Sequence, residues 1–403
     1  MNIVLVSQGY PPENGHGGVG TQTRTKAHGL ARRGHVVTVL AHSVDECRHE
    51  YRDGDVNVVR VPSRDSRIEL ATTEARWLAW SFEAAAALAE LHARRPIDIA
   101  EFPEFAGEAY FHLVNRATWN HIPTVIQLHG PLAMLARTIE WPEIDSELYR
   151  VGCHMESEAL RRADAIYSSS KLSIDWCSRE YGTDPESIPV MHAGIDVQHF
   201  APNAAAKDEG LTVLFVGRIA ESKGVTDLLD ACINVRHSIP DLRLRLVGTG
   251  EAEYCERLLS IARDANASQM LELAGYVDHE NLPRELNRAH VFAAPSRYEG
   301  GPGFVYLEAM ACGLPVIACA GSGASEAVDD YVDGLLVEPG NIESISRALL
   351  TLLQNVELRE AMGANARRAV LRSADADSCV GGIEEFYRAT LAAMSNERTM
   401  VAT

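Results

Sequence analysis

The chain has 403 residues, 46% of them apolar, and a net charge of −19; this is ordinary globular composition with room for two domains. So acidic a chain is a poor match for nucleic acid or an anionic membrane surface as its main partner. It has no unbroken apolar run long enough to span a bilayer, so no integral membrane contact is expected.

The first half opens with a buried strand at Asn2 to Ser7 and a long loop from Gln8 to Gly20 containing Pro11 and Pro12. Met1-Asn2-Ile3 enters the strand with no basic segment before it, so no secretory signal is expected. A helix at Thr21 to Arg33, closed by Gly34, and a strand at Val36 to Leu40 begin a doubly wound α/β sheet. More strands are predicted at Val56–Val61, Ile97–Glu101, Thr124–Leu128 and Ala165–Ser168, with helices at Ala71–Arg94 and Glu147–Arg162. Gly15-His16-Gly17-Gly18-Val19-Gly20 is a literal G-x-G-x-x-G. A dinucleotide fingerprint follows its strand at once and has an acid at the end of the next one. Here Gln8 to Asn14 intervene and the second strand ends Leu40-Ala41-His42, which speaks against a dinucleotide.

Two further strands end in polar residues at the edge of the sheet where ligands bind. In Glu101-Phe102-Pro103-Glu104 the two acids are candidates for acceptor hydroxyls or an amine, the alternative being an exposed loop. In Gln127-Leu128-His129-Gly130-Pro131 the candidate is His129, the alternative being a structural histidine. Pro189 to Asp196 reads as the last strand of this half and its turn, and the Ala-rich Pro202 to Gly210 as an interdomain linker.

The second half starts with a strand at Leu211 to Gly217, followed by Arg218-Ile219-Ala220-Glu221-Ser222-Lys223-Gly224 and a helix at Val225–His237. Arg218 offers a planar fork and Lys223 a point charge beside a helix start, which is a phosphate clamp; a surface Lys-Gly turn is the alternative. Leu242 to Val247 is a strand ending in Gly248-Thr249-Gly250. Leu273 to Val277 is a strand and turn, in which Tyr276 faces a ligand or closes the core edge.

The most informative stretch is Val291 to Cys319. A buried strand, Val291 to Pro295, leads into a loop with Gly300, Gly301 and Gly303. A helix from Phe304 to Cys312 follows, closed by Gly313, and a strand from Pro315 to Cys319. The amides of Gly303, Phe304 and Val305 open that helix and make an anion site. Glu299 and Glu308 flank it; carboxylates repel phosphate, so they suit hydroxyls, and the combination suits a nucleotide sugar. A solvated loop glutamate and a helix glutamate paired with a cation are the structural alternative. A strand at Leu335–Val337 and helices at Asn341–Asn355, Val356–Arg372 and Ser378–Ser395 complete the chain.

Gly217 to Gly224 and Tyr298 to Ala318 together resemble the donor-binding signature of retaining family 4 glycosyltransferases of the GT-B fold. The resemblance implies two Rossmann-like, doubly wound domains facing across a cleft. Residues 1–196 would form the acceptor side, with 378–403 crossing back to it, and 210–377 would bind the donor. It implies that Arg218 and Lys223 hold the diphosphate beside Gly217, and that Glu299 holds hydroxyls of the transferred sugar. Glu308 would hold the ribose, and the Tyr276–Val277 turn the base. His129 would touch the donor sugar, and Gly17 and Gly18 would face the donor phosphates. The family places its two glutamates eight positions apart; here they are nine apart, and a one-residue bulge in the Gly-Gly-Pro-Gly loop is expected. The family also carries an N-G-(I/V)-D turn where this chain has Ala193-Gly194-Ile195-Asp196.

The implied reaction moves a hexosyl unit from a UDP- or GDP-sugar to a hydroxyl of a soluble acceptor, keeping the anomeric configuration. No cofactor or metal is expected, and the fifteen histidines contain no H-E-x-x-H. The eight cysteines contain no C-x-x-C and suit a reducing cytoplasm. A nucleotide-sugar 2-epimerase of the same fold, a nicotinamide dehydrogenase and a non-catalytic nucleotide-sugar-binding protein are the rivals.

Overall fold

Strands covered on both faces are built mostly of apolar side chains, so they read as near-continuous hydrophobic runs. The computed structural model describes residues 1–14, 17–45, 47–62, 73–117 and 121–401, and the chain divides into two units, Met1–Gly194 with Ala376–Thr403, and Ile195–Asp375. Gly15 and His16 of the glycine-rich loop, and Ala71 and Thr72 of the expected second helix, lie outside the described residues.

The first unit runs β1 (Asn2–Val6), α1 (Gly18–Arg32), β2 (Val36–His42), β3 (His49–Asp53), β4 (Val56–Val61) and α2 (Thr73–Arg94). It continues β5 (Ile99–Pro103), α3 (Tyr110–Val114), β6 (Thr124–Leu128), α4 (Leu132–Thr138), α5 (Glu147–Arg162), β7 (Ala165–Ser168) and α6 (Lys171–Tyr181). The sheet order is β3-β4-β2-β1-β5-β6-β7, parallel except for β3, which pairs antiparallel with β4. Alternate side chains of β1 feed two cores: Val4 and Val6 pack with Trp80, Ala84 and Leu88, while Ile3 and Leu5 pack with Ala27 and Leu30.

Two expectations change in this unit. The strand expected at Pro189–Asp196 reduces to two isolated bridges, Val190 with Ser168 and Ile195 with Asp375, since Pro189 has no N–H to donate and Gly194 (φ 67°) turns the chain. The strand expected at Ile97–Glu101 starts and ends two residues later, so Glu101 lies within it.

The second unit runs β8 (Thr212–Val216), α7 (Val225–Val235), β9 (Arg243–Val247), α8 (Ala252–Asp264), β10 (Leu271–Gly275) and α9 (Leu282–Arg288). It continues β11 (Val291–Ala294), α10 (Phe304–Ala311), β12 (Val316–Cys319), β13 (Gly334–Val337), α11 (Ile342–Gln354) and α12 (Val356–Ser373). Its all-parallel sheet has the order β10-β9-β8-β11-β12-β13. The order reverses between β8 and β11, and in such sheets ligands bind outside the strand C-termini at that point. The expected linker is packed onto this unit: Asn203 N–H donates to Asn287 Oδ1 at 2.6 Å, and Asp208 pairs with Arg288 at 3.0 Å.

The last helix, α13 (Ala376–Val401), packs on α1 in the first unit, where Val380, Ile383 and Tyr387 join the Ile3–Leu5 core. Gly29 of α1 permits this contact, because a Cβ there would meet Val380 at 2.9 Å.

Candidate functional site

In the second unit, the loops leaving β8 and β11 carry the two motifs, so the topology places them on either side of the switch point. The β8 loop starts at Gly217 (φ 147°) and exposes Arg218. A 3₁₀ turn, Glu221–Lys223, then presents Lys223, and Gly224 (φ 67°) reverses the chain into α7. A Cβ on Gly224 would fall 2.1 Å from the Pro295 carbonyl oxygen, so only glycine allows the two loops to touch.

The touch is reinforced twice. Arg297 N–H donates to the Ser222 carbonyl at 3.0 Å, and the Arg297 guanidinium pairs with Asp227, in the first turn of α7, at 2.8 Å. Lys223 Nζ lies 2.6 Å from Glu299 Oε1 and 3.4 Å from the Tyr298 carbonyl oxygen. The structure thus brings the clamp lysine and the first motif glutamate into direct contact, both mostly buried. Sequence reading did not single out Arg297 or Asp227, although Arg297 sits inside the motif.

The β11 loop ends at Gly303 (φ 64°, ψ 96°), the N-cap of α10. A side chain on Gly303 would meet the Tyr306 ring at 2.5 Å. Tyr306 anchors α10 by donating its hydroxyl to the Ala294 carbonyl and packing edge-on against Phe292. The α10 sequence is apolar all round, as suits a buried helix, with Glu308 its one carboxylate. The first turn of a helix has amides with no acceptor inside the helix, and here that turn holds Phe304 and Val305.

Gly300, Gly301, Pro302 and Gly303 separate Glu299 from the start of α10. The loop is tied down by Gly323 N–H donating to the Glu299 carbonyl at 2.7 Å. Glu308 is buried and accepts from His279 Nε2 at 2.7 Å. The turn after β10 leaves Tyr276 half exposed and Val277 partly buried, so Tyr276 is not part of the core.

In the first unit, exposed Gly17 caps α1, Gly18 opens it, and a Cβ at either position would meet nothing within 4 Å. His129 follows β6, and burial together with nearby Lys26 pushes its pKa down to about 3, so the imidazole is neutral. Its backbone N–H donates to Glu104 Oε1 at 2.7 Å, and Gly130 N–H donates to the same oxygen.

Glu101 and Glu104, expected at an acceptor-facing loop, are both buried. Glu101 points from mid-strand into the α1–α13 layer. It accepts from Lys26 and from the hydroxyls of Tyr167 and Tyr387. Lys26 also donates to Gln127 at 2.6 Å, and burial lowers its pKa against the pull of Glu101. Glu101 therefore holds the sheet to its helices, because the strand register turns it inward. Glu104 is a support for the His129 loop, and its Oε2 has no partner.

Sequence reading missed two more buried carboxylates beside Glu104. Glu108 accepts from Gln8 N–H and Trp80 Nε1, and Glu156 accepts from the amides of Ala106 and Leu132. Burial raises Glu104 and Glu108 to about 7 and Glu156 to about 8, against backbone and side-chain donors that pull each of them down. A carboxyl raised above its ordinary 4.5 holds a proton that the unfolded chain releases. Stability from such groups is therefore present at low pH and lost as pH rises through about 7. Glu104→Gln removes one of these titrations and keeps an acceptor for the two amides. Stability of the natural protein relative to this variant, read from urea midpoints, is expected to fall by on the order of 2 kcal/mol between pH 5 and pH 8. Parallel pH profiles for the two proteins would contradict the buried-acid account.

Among the described residues, no three His, Cys, Asp or Glu side chains group as metal ligands, and no helix is long and apolar enough to cross a membrane.

Comparison with known proteins matches "Glycosyl transferase 4-like domain" over residues 17–225 and "Glycosyl transferases group 1" over 197–369. A GDP-mannose-dependent monoacylated alpha-(1-6)-phosphatidylinositol monomannoside mannosyltransferase from Corynebacterium glutamicum is 31% identical over 60% of this chain and 69% of its own. A glycogen synthase from Mycobacterium tuberculosis is 27% identical over 99% of this chain and 96% of its own. In fold, the chain is similar to a sucrose-phosphate synthase from Thermosynechococcus elongatus, with a TM-score of 0.82 at 22% identity, over 97% of this chain and 99% of that one. With the two motifs at the switch point of its second sheet and these matches across both halves, the chain belongs to the family 4 glycosyltransferases of the GT-B fold.

Proposed function

We propose that the protein transfers a hexosyl unit from a nucleoside diphosphate sugar, a UDP- or GDP-sugar, to a hydroxyl of a soluble acceptor with retention of anomeric configuration. The observation that carries this reading is the contact of Lys223 with Glu299 beside the start of α10. It puts a phosphate-seeking cation, a hydroxyl-seeking carboxylate and a helix start in one place. The leaving diphosphate would dock on Arg218, Lys223 and the α10 amides, replacing Glu299 as the partner of Lys223. Glu299 would then be released to the hydroxyls of the transferred sugar.

The bond from the sugar C1 to the diphosphate oxygen breaks, and the bond from C1 to the acceptor oxygen forms on the same face. The acceptor proton passes to the departing phosphate oxygen. Two cations and a helix dipole stabilise the developing charge, so no metal ion is required for that task. Relatives and fold neighbours support the donor class: one is named for GDP-mannose, and an Anabaena protein of TM-score 0.73 is in complex with UDP-glucose. On the first unit, we assign the neutral His129 and the Gly17–Gly18 turn to contacts with the sugar and phosphates. The acceptor is assigned to the loops at the same sheet edge.

Glu308 is assigned to the ribose. Glu308→Ala is expected to weaken nucleoside diphosphate binding about tenfold, as for loss of hydrogen bonds to a charged group. Calorimetry with UDP and GDP reads this directly, and unchanged affinity would remove Glu308 from the site. Incubating the protein with UDP- and GDP-sugars without acceptor separates the reading from an epimerase, which would convert the donor by itself.

A further inference from the structure

Resting on the proposed ribose contact of Glu308, a second residue enters the donor site. A 3₁₀ turn, His279–Asn281, links β10 to α9, and it sets the His279 imidazole beside α10. Nε2 lies 2.7 Å from Glu308 Oε1; the carboxylate side chain is 5% exposed and the imidazole 46% exposed. The imidazole therefore forms the solvent-side rim of a buried acid.

The ring is held from behind. It meets the Phe200 ring edge-on with centroids 5.2 Å apart. Phe200 is buried, and its carbonyl accepts from Arg367 at 2.7 Å. Among the described residues, His279 is the one basic side chain within ion-pair distance of Glu308. A buried carboxylate needs donors to stay ionised, and an ionised carboxylate can only accept. In the tautomer with its hydrogen on Nε2, His279 donates to Glu308 Oε1.

We propose that His279 is a positioning residue for the nucleotide. Its Nε2–H occupies one lone pair of Oε1 and fixes the plane of the Glu308 carboxylate. The remaining lone pairs are left for the two hydroxyls of a ribose. The ligand class is a ribonucleoside diphosphate, and the selectivity is for ribose over 2′-deoxyribose.

The test is calorimetry on the full chain with UDP and GDP and their 2′-deoxy counterparts. The proteins are the natural one, His279→Ala, His279→Gln, Glu308→Gln and the His279→Ala/Glu308→Gln double variant, each checked for folding by its thermal midpoint. His279→Ala is expected to bind the ribonucleotide about tenfold more weakly and to lose most of its preference over the 2′-deoxy form. His279→Gln, which keeps an N–H donor, should stay within about threefold of the natural protein. The double variant should bind no more weakly than Glu308→Gln alone, since the two residues act as one unit.

Natural affinity in His279→Ala alongside weakened binding in Glu308→Gln would overturn the role of His279 and leave the ribose contact standing. An equal loss for ribo- and deoxyribonucleotide would show a merely structural role and would also overturn it. If neither single variant weakens binding, the ribose reading itself fails.

Discussion

Lys223→Ala is expected to lower turnover about a hundredfold, the roughly 3 kcal/mol lost when one charge-stabilising donor is removed. The ammonium lies 2.6 Å from Glu299, and its side chain is about a quarter exposed. Glu299 keeps some exposure to water when its partner is removed, so the loss of folding stability should be small beside the loss of turnover. The variant also leaves Glu299 without its cation, next to where a diphosphate would dock, and that unpaired carboxylate repels phosphate. Pairing Lys223→Ala with Glu299→Gln should therefore recover part of the donor affinity but not the turnover. Steady-state kinetics on the single and double variants reads both effects. Near-natural turnover in Lys223→Ala would take the lysine out of the mechanism.

Gly224→Ala is expected to cost about 3 kcal/mol of stability and most of the activity, the first from a left-handed backbone and a backbone clash together. At φ 67° an alanine pays the αL penalty, and its Cβ would lie 2.1 Å from the Pro295 oxygen. Relief requires the β8 loop to separate from the β11 loop. That separation would also pull on the Arg297–Asp227 pair and move Lys223 away from Glu299. Gly382→Ala is the control: a Cβ there meets nothing within 4 Å, and the position lies inside α13. Alanine should stabilise it by about 0.5–1 kcal/mol. Urea unfolding of the two variants tests the contrast, and a Gly224→Ala protein as stable as the natural one would mean that the two loops do not need to touch.

What the sequence shows and hides follows from which side chains face what. Parallel strands such as β1, β11 and β12 are buried throughout and stand out as apolar runs. The edge strand β3, His-Glu-Tyr-Arg-Asp, is mostly exposed and charged, which deters edge-to-edge pairing and hides it from a search for apolar runs. Its one local signal is the Asp53-Gly54 turn into β4, with Gly54 at φ 59°. The motif from Pro295 to Ala318 is legible because glycine, proline and helix signals agree there. The inward turn of Glu101 is not, since a two-residue shift of a short strand carries a side chain from the sheet edge into the core. The contacts of His279 with Glu308, and of Glu104, Glu108 and Glu156 with loop amides, join segments far apart in the chain, and no local pattern announces them.

A diphosphate is expected to seat between Arg218, Lys223 and the start of α10, and a crystal structure of the protein with a bound UDP- or GDP-sugar would show it. Phosphate oxygens should lie within hydrogen-bond distance of Lys223 Nζ and of the amides opening α10, with the Lys223–Glu299 contact broken. A diphosphate seated away from those groups, with Lys223 still paired to Glu299, would contradict that seating.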